Sequence, residues 1–359
     1  MTAARGQDGS SAVSADSLEG TNSFPEHRHR GALCGSIILS WVQGLEDQGV
    51  DLAHFFPAWG VDPAALRVGN LRLPLFLARR FWEVALEQSA DPAIGLELAR
   101  QLDPVQMQGL AYLMQLMPDR YSALQQMLHF WPLVAAHFEQ RLEQDGDCLR
   151  LTLRPVNDYQ LALPEVDYWM VRQLRHLRSA PGALPALREV RLRRPEPSDP
   201  RPWLQVIRAP VVFSSCRDEM LLDLAALQEP RDGGSPAIHE ALKLSLREYA
   251  AQTETGSELE RVCAEVLHRL ADNPGLDEVA ARLHTTPRTL HRALQRDGWT
   301  YSRIIEEHRR LLAVDLLQAT ASTIAEIADR LGFDEQSSFI RAFRRWYGAT
   351  PGAYRMQRQ

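Results

Sequence analysis

The stretch IADRLGFDEQSSFIRAFRRWYG, Ile327 to Gly348, reads as a short helix, a glycine break and a second helix with two unlike faces. In that second helix Phe339, Ala342, Phe343 and Trp346 share one face at helical spacing, while Arg341, Arg344 and Arg345 share the other. An earlier stretch has the same plan. LDEVAARL (Leu276–Leu283) places Leu276, Val279, Ala280 and Leu283 at i, i+3, i+4 and i+7, and IAEIADRL (Ile324–Leu331) repeats that register. Each is followed by a short turn and an arginine-bearing helix, the earlier one being TPRTLHRALQRD (Thr286–Asp297), with Leu290, Ala293 and Leu294 inward.

Two short helices joined by a tight turn, the second exposing polar side chains, form a helix-turn-helix arrangement. A major groove about 12 Å wide admits one helix, which must show donors outward and be held by an apolar back. Arg288, Arg292 and Arg296 recur at i, i+4 and i+8 on the outer face of the first such helix. Gln336, Ser337, Ile340, Arg341, Arg344 and Arg345 face outward on the second. Arginine can bond guanine in bidentate fashion, and glutamine can do the same for adenine. Between the units, YSRIIEEHRRLLAVDLLQ (Tyr301–Gln318) is one continuous helical pattern, roughly 27 Å long at about 1.5 Å per residue. Such a connector, with its flanking helices, suits two recognition helices about one DNA turn, roughly 34 Å, apart. Both helices and their connector lie within 250–359, so that piece is expected to carry the whole DNA reader.

The rest of the chain is of another kind. The full chain of 359 residues suits two domains and a tail. A hydrophobic fraction of 45% and a charged fraction of 24% are those of a soluble globular protein, and no apolar run is long enough to span a bilayer. Residues 1–34 are rich in Gly, Ser, Ala and Asp without the apolar core of a secretion signal, and read as a disordered tail. The four cysteines lie far apart with no CxxC spacing, which argues against a zinc site or disulfide framework and for the cytoplasm. The net charge is −6, yet from Thr286 onward twelve arginines face eight carboxylates. A mildly acidic body with an arginine-biased end suits a polyanion reader attached to something else.

That body, residues 35–230, reads as α+β, helices first and an antiparallel sheet later. Ile38, Trp41, Val42 and Leu45 mark one buried helix face, and Asp62-Pro63 suits a helix start. Leu124, Met127, Leu128 and Trp131 mark another helix from Tyr121 to about His137. FEQRLEQDGDCLRLTLRP then alternates about Asp145-Gly146, a hairpin signal. Further strands are expected at Glu189–Arg194 and Pro210–Ser214, with helices near Glu165–Arg178 and Trp203–Arg208. Glu229–Pro236 is a Gly/Pro linker, and 231–256 also holds a bridging helix, Ala237–Thr253. An all-α region, 257–357, follows, with helix-turn-helix units at 276–297 and 324–346.

The segment IAEIADRLGFDEQSSFIRAFRRWYGATPGAYR (Ile324–Arg355) resembles the terminal signature of the AraC/XylS family of bacterial transcription regulators almost throughout, and the likeness extends over about Ser257 to Met356. Gly332 matches its turn residue, and Gly348, Thr350, Pro351, Tyr354 and Arg355 match its cap. The resemblance implies a DNA-binding regulator whose base-facing positions are Arg288, His291 and Arg292 in the first unit and Gln336, Ser337, Ser338, Ile340 and Arg341 in the second. Arg296 and Arg345 complete the expected DNA contacts, Arg345 as a phosphate contact. The first unit is more divergent, with Thr285-Thr286-Pro287 before its helix. GVD at Gly49–Asp51 and again at Gly60–Asp62, DPAIGLELA (Asp91–Ala99) and PVVFSS (Pro210–Ser215) resemble the subgroup of ornithine-utilisation-type regulators, whose N-terminal domain is arabinose-binding-like. That implies an effector-sensing or dimerising role for 35–230.

Tyr112, His129, Trp131, Tyr168 and Trp169 are the candidate effector-pocket residues, although aromatics at helical spacing are core more often than pocket. His27-Arg28-His29 lies in the tail, and Cys263 sits among Val262, Val266 and Leu267 as a small core residue. No GxGxxG, P-loop, HExxH or GxSxG motif is present, and no cysteine has the Pro-Cys-His context of DNA-repair methyltransferases. No catalytic residue, metal or cofactor is therefore expected. The expected partners are promoter duplex DNA, RNA polymerase, a small-molecule effector and a second copy of the chain. The competing readings are a helical interaction protein and a DNA-linked enzyme without a recognisable active site. The first does not explain why the outward faces are arginine-rich while the inward ones repeat, and the second lacks the motifs just named.

Overall fold

Apolar periodicity, capping side chains and a few glycines set the elements of the structure, a computed structural model that describes residues 32–59, 61, 66, 72–100, 107, 109–155, 160–178, 187–231, 234–253 and 257–357. Residues 1–31 of the expected tail, with His27-Arg28-His29, and the helix start at Asp62-Pro63 lie outside the described residues; the end of that tail, Ala32–Cys34, is instead ordered as a strand, held by pairing with Arg72–Pro74.

The N-terminal half opens with a short strand β1 (Ala32–Cys34) and helices α1 (Gly35–Glu46) and α2 (Phe55–Ala58). Next come β2 (Arg72–Pro74), α3 (Leu75–Ser89), α4 (Ile94–Arg100), α5 (Leu110–Gln115) and α6 (Arg120–Val134). β1 and β2 pair antiparallel, a small sheet that three-residue strands leave invisible to periodicity. The α6 start is fixed by Asp119, whose carboxylate accepts from the Ser122 N–H.

The second part winds around a five-stranded sheet. Its elements are β3 (Phe138–Asp145), β4 (Cys148–Pro155), α7 (Leu163–Arg178), β5 (Leu187–Arg191), α8 (Arg201–Ile207), β6 (Val211–Val212), β7 (Asp218–Asp223) and α9 (Leu224–Leu227). Sheet order is β3-β4-β7-β5-β6. The β3–β4 hairpin turns through Gly146 at φ +62, and Leu149, Leu151 and Leu153 all point into the core. All pairings are antiparallel except β5–β6, which run parallel because α8 carries the chain back between them. β7, DEMLLD, escaped the sequence reading, since its acidic start hides a central strand whose Met220 and Leu222 are buried.

Helix α10 (Pro236–Thr253) leads to the C-terminal half. There α11 (Glu258–His268), a short 3-10 turn (Leu270–Asp272), α12 (Leu276–Arg282), α13 (Pro287–Arg296), α14 (Tyr301–Ala319), α15 (Ile324–Arg330), α16 (Gln336–Tyr347) and α17 (Pro351–Gln357) follow without a strand. Ahead of α10, Arg231 donates to the carbonyls of Met114 and Met117, pinning that segment against the end of α5.

The two halves are joined along α14 and at α11, where buried Glu260 faces Arg72 of β2 at 3.9 Å. One hydrophobic cluster runs from the N-terminal helices into α14. Trp299, 1% exposed, stacks on Trp59 at 5.8 Å and tilts against Phe76 at 5.1 Å. Arg303 lies over both indoles. Asp315, buried in α14, accepts from Arg79 of α3 at 3.0 Å and from the Gln160 N–H at 2.9 Å. Burial raises its pKa, and Arg79 offsets part of that. The C-terminal piece 250–359 thus has a large apolar and ionic face that the rest of the chain covers.

Candidate nucleic-acid interface

In the first unit, α12 and α13 meet at a turn where His284 adopts φ +54. Thr286 caps α13 by accepting from the Thr289 N–H, and Pro287 occupies the first turn, where its missing N–H costs nothing. Leu290 and Leu294 are buried behind the helix, while Arg288, His291, Arg292 and Arg296 are exposed in front. The unit rests on α11 through Arg261, which donates to the Leu283 carbonyl at 2.8 Å, and through the Arg282–Glu265 ion pair.

In the second unit, Thr323 and Glu326 form a reciprocal capping box that starts α15. The turn residue Gly332 has φ +69, and a Cβ there would lie 2.3 Å from the Leu270 carbonyl oxygen, so only glycine fits. Phe339, Ala342 and Phe343 are buried behind α16, and Phe343 packs against Tyr347 at 4.8 Å and Tyr354 at 5.4 Å. Gln336, Ser337, Arg341, Arg344 and Arg345 are exposed in front. Ser338 and Ile340 are half-buried at the edge of that face, so Ile340 is less outward than its spacing suggests. Gly348, at φ +72, ends α16 in a left-handed cap.

Several of these side chains are already engaged. Arg341 donates to the Ser338 hydroxyl at 3.0 Å, and Ser337 donates to Glu335 at 2.9 Å. Arg345 and the Trp346 indole both donate to Glu306 of α14, at 2.5 and 2.8 Å. The Trp346 hydrogen bond, helped by Arg345, holds the Glu306 carboxyl below its usual range. Trp346 is therefore half-buried with its N–H bonded to that helix.

Sequence reasoning missed the residue that joins the units. Arg309 of α14 donates to the carbonyls of Leu331 and Gly332 in the second turn and to the Asn273 side chain ahead of the first unit. Its guanidinium also lies over Phe333. Arg355 likewise ties α17 to the Leu317 and Ser322 carbonyls. In sequence, Arg309 is one more arginine on a polar helix stripe, with nothing to mark it.

The five aromatic and histidine candidates for an effector pocket do not form one group. Trp131, Tyr168 and Trp169 are buried together, with Trp169 5.1 Å from Trp131 and 4.9 Å from Tyr168. Tyr112 is 44% exposed on α5, at the surface and not in that buried cluster. His129 is half-buried, its pKa lowered by burial and by Arg247 and Lys243 of α10. Among the described residues no group of three His, Cys, Asp or Glu is placed to hold a metal, and no helix is long and apolar enough to cross a membrane.

Comparison with known proteins adds a context to this geometry. The pattern of the family described as "Arabinose-binding domain of AraC transcription regulator, N-term" matches residues 49–231, and that of a helix-turn-helix domain matches 279–357. The ornithine utilization regulator of Pseudomonas aeruginosa is 28% identical over 316 residues, 87% of this chain and 92% of that one. The urease operon transcriptional activator of Escherichia coli is 35% identical over 82 residues, 23% of this chain and 28% of its own. Among solved structures, the transcriptional regulator CdpR from Pseudomonas aeruginosa aligns over 85% of this chain and 96% of its own, at 24% identity and a TM-score of 0.41.

Proposed function

This chain belongs to the AraC transcription regulators, and we propose that it reads a promoter with two coupled major-groove helices whose presentation a small effector alters. DNA binding is the family's chemistry. The assignment of side chains is our reading: Arg288, His291 and Arg292 meet base edges in one groove, and Gln336, Ser337, Ser338, Ile340 and Arg341 do so in the next. Arg296 and Arg345 meet phosphates, and Arg345 must first leave Glu306. The observation that carries this is the alternation on α13 and α16, where every arginine is exposed and Leu290, Leu294, Phe339 and Phe343 are buried behind. Residues 35–230 are read as the effector-sensing part and 257–357 as the DNA reader. No catalytic step is assigned, and the site of action is the cytoplasm, beside the chromosome.

Two further partners belong to the reading. A promoter-bound regulator acts on RNA polymerase, and a second copy of the chain is supported by α10, where Ile238 and Leu244 are more than half exposed. Sedimentation of the free protein tests the second copy.

The direct test is anisotropy of the full chain on a library of promoter fragments between about 50 and 200 mM salt. Displacement of counterions by about six phosphate contacts predicts a loss of roughly a thousandfold in affinity over that range. Absence of binding at low salt, or a flat response, ends the reading.

A further inference from the structure

Helix α7 is buried on nearly every side, yet it carries charge. Its Glu165 meets His137 at 2.8 Å, and its Asp167 meets Arg194. Elsewhere in the N-terminal half, buried Arg72 donates to the Leu133 and Pro132 carbonyls, and Arg120 donates to Leu177. Arg172 is the exception. It is 1% exposed, and none of its three guanidinium nitrogens has a hydrogen-bond partner. No carboxylate among the described residues pairs with it, and its flanking Arg175 carries the same sign. A guanidinium cannot shed its proton to escape this cost.

The surroundings lack the same thing. Tyr168, one turn earlier, has its ring 5.5 Å from the guanidinium and its hydroxyl unpaired. Trp41 and Trp82 stand 5.4 and 6.3 Å from Tyr168, and both indole N–H groups are buried without an acceptor. A cation–π contact uses the face of the tyrosine ring and leaves the guanidinium donors unmet. Negative charge is what is missing here, for the neighbouring Gln173 Oε1, itself buried without a partner, is a neutral acceptor. A cleft of about 830 Å³ reaches α7 at Val171 and Arg175, on either side of Arg172 in the chain. Arg100, Arg178 and Arg208 also line it, against a single carboxylate, Glu97.

We propose that Arg172 is the counter-ion of an organic acid that enters by the arginine-lined cleft and seats its carboxylate among Arg172, Tyr168 and the indoles of Trp41 and Trp82. The carboxylate accepts from the guanidinium fork, and the aromatic rings take the acid's apolar body. Arg172 is shut off from solvent, so seating the acid moves the wall beside α7. This inference rests on the effector-sensing reading and names the chemical class of its ligand.

The test is thermal unfolding of the full chain with millimolar carboxylates, from acetate to decanoate, benzoate and the common amino acids, each beside its amide where one exists. The variants are Arg172→Met and Arg172→Lys. At least one acid should raise the wild-type Tm by about 2 °C or more when well above its Kd, with its amide inert. Arg172→Met should be at least as stable as wild type without acid, keep its DNA affinity and lose the acid response. Arg172→Lys should keep part of that response. The proposal is overturned if no acid shifts the wild type, if acids shift Arg172→Met equally, or if Arg172→Met unfolds early. An acid that shifts the wild type through Arg172 and leaves promoter binding unchanged would keep the site and remove the sensing role.

Discussion

The two helix-turn-helix units share an apolar register and differ in what holds them. The first is held from outside. Trp299, directly after α13, is wedged between Trp59 and Phe76 of the N-terminal half. The second is held from within, by the rings of Phe339, Phe343, Tyr347 and Tyr354 and by Arg355. A rearrangement in the N-terminal half therefore reaches the first reader by direct contact and the second through α14 or through α11, whose buried Glu260 faces Arg72 of β2 at 3.9 Å. The turns differ for a related reason. Gly332 abuts another backbone and admits no Cβ, whereas His284, in the same left-handed region, is exposed and has room for its side chain.

The largest expected effect is that of Trp299→Ala. A cavity at the joint of the two halves should cost about 3–5 kcal/mol in urea unfolding. Hydrogen exchange should show α3 and α13 losing protection together; if α13 alone loosens, the first unit is not held from outside. Phe343→Ala should cost a comparable amount, about 3–5 kcal/mol, through a core cavity. Its exchange signature should be confined to α15–α17, with α13 unchanged.

Arg292→Ala and Arg341→Ala should each lower affinity by about 1–3 kcal/mol and relax preference at one base pair, as loss of a bidentate contact does. The two affected positions should lie in different half-sites. Selection from a randomised site reads this, and loss of preference at a single shared position would collapse the comparison.

Acid should weaken the fold through two buried imidazoles. Burial pushes His308 of α14 down to about 3, and burial with Arg172 and Arg175 does the same to His176 of α7. Unfolded histidine titrates near 6.5, so the unfolded chain takes up protons first as pH falls. Stability should be intact above about pH 6.5 and fall toward pH 3, by up to about 1.4 kcal/mol per pH unit for each group. His308→Leu should lose less stability than wild type between pH 7 and pH 5 in urea titrations; equal losses would count against it. The smallest effect is His284→Gly, which removes a left-handed Cβ and should stabilise by up to about 1 kcal/mol. Alanine at Gly332 should instead disrupt the second turn.

The C-terminal half was the more legible in sequence because its signals are local. Capping residues, an i, i+3, i+4, i+7 register and a glycine at the turn all lie within one or two helical turns of each other. The exposed faces of α13 and α16 follow the same periodicity, apart from Ser338 and Ile340 at the rim. The N-terminal half depends on contacts distant in sequence. β1 and β2 are too short to show a period, and β7 reads as acidic until its place between β4 and β5 is known. Arg172, Arg309 and Asp315 matter through what stands opposite them, and spacing along the chain carries no trace of that. Tyr112 and His129 stand out in sequence by residue type, and type does not report which side of a helix faces the interior.

Arg309 turns the pair of readers into a gauge of rotational phase. Its hydrogen bonds hold the second turn to the segment ahead of the first unit, so the angle between the recognition helices is set by the protein before DNA is met. B-form DNA rotates its grooves through a full circle about every 10.5 base pairs. Two half-sites one period apart present the same side of the duplex to both helices. Insertion of about five base pairs turns one half-site to the far side, where a braced reader has no reach without twisting the DNA. On the proposed reading, an operator for this protein is expected to be a single word with fixed internal spacing, in which drift of that spacing is as damaging as the loss of a base contact.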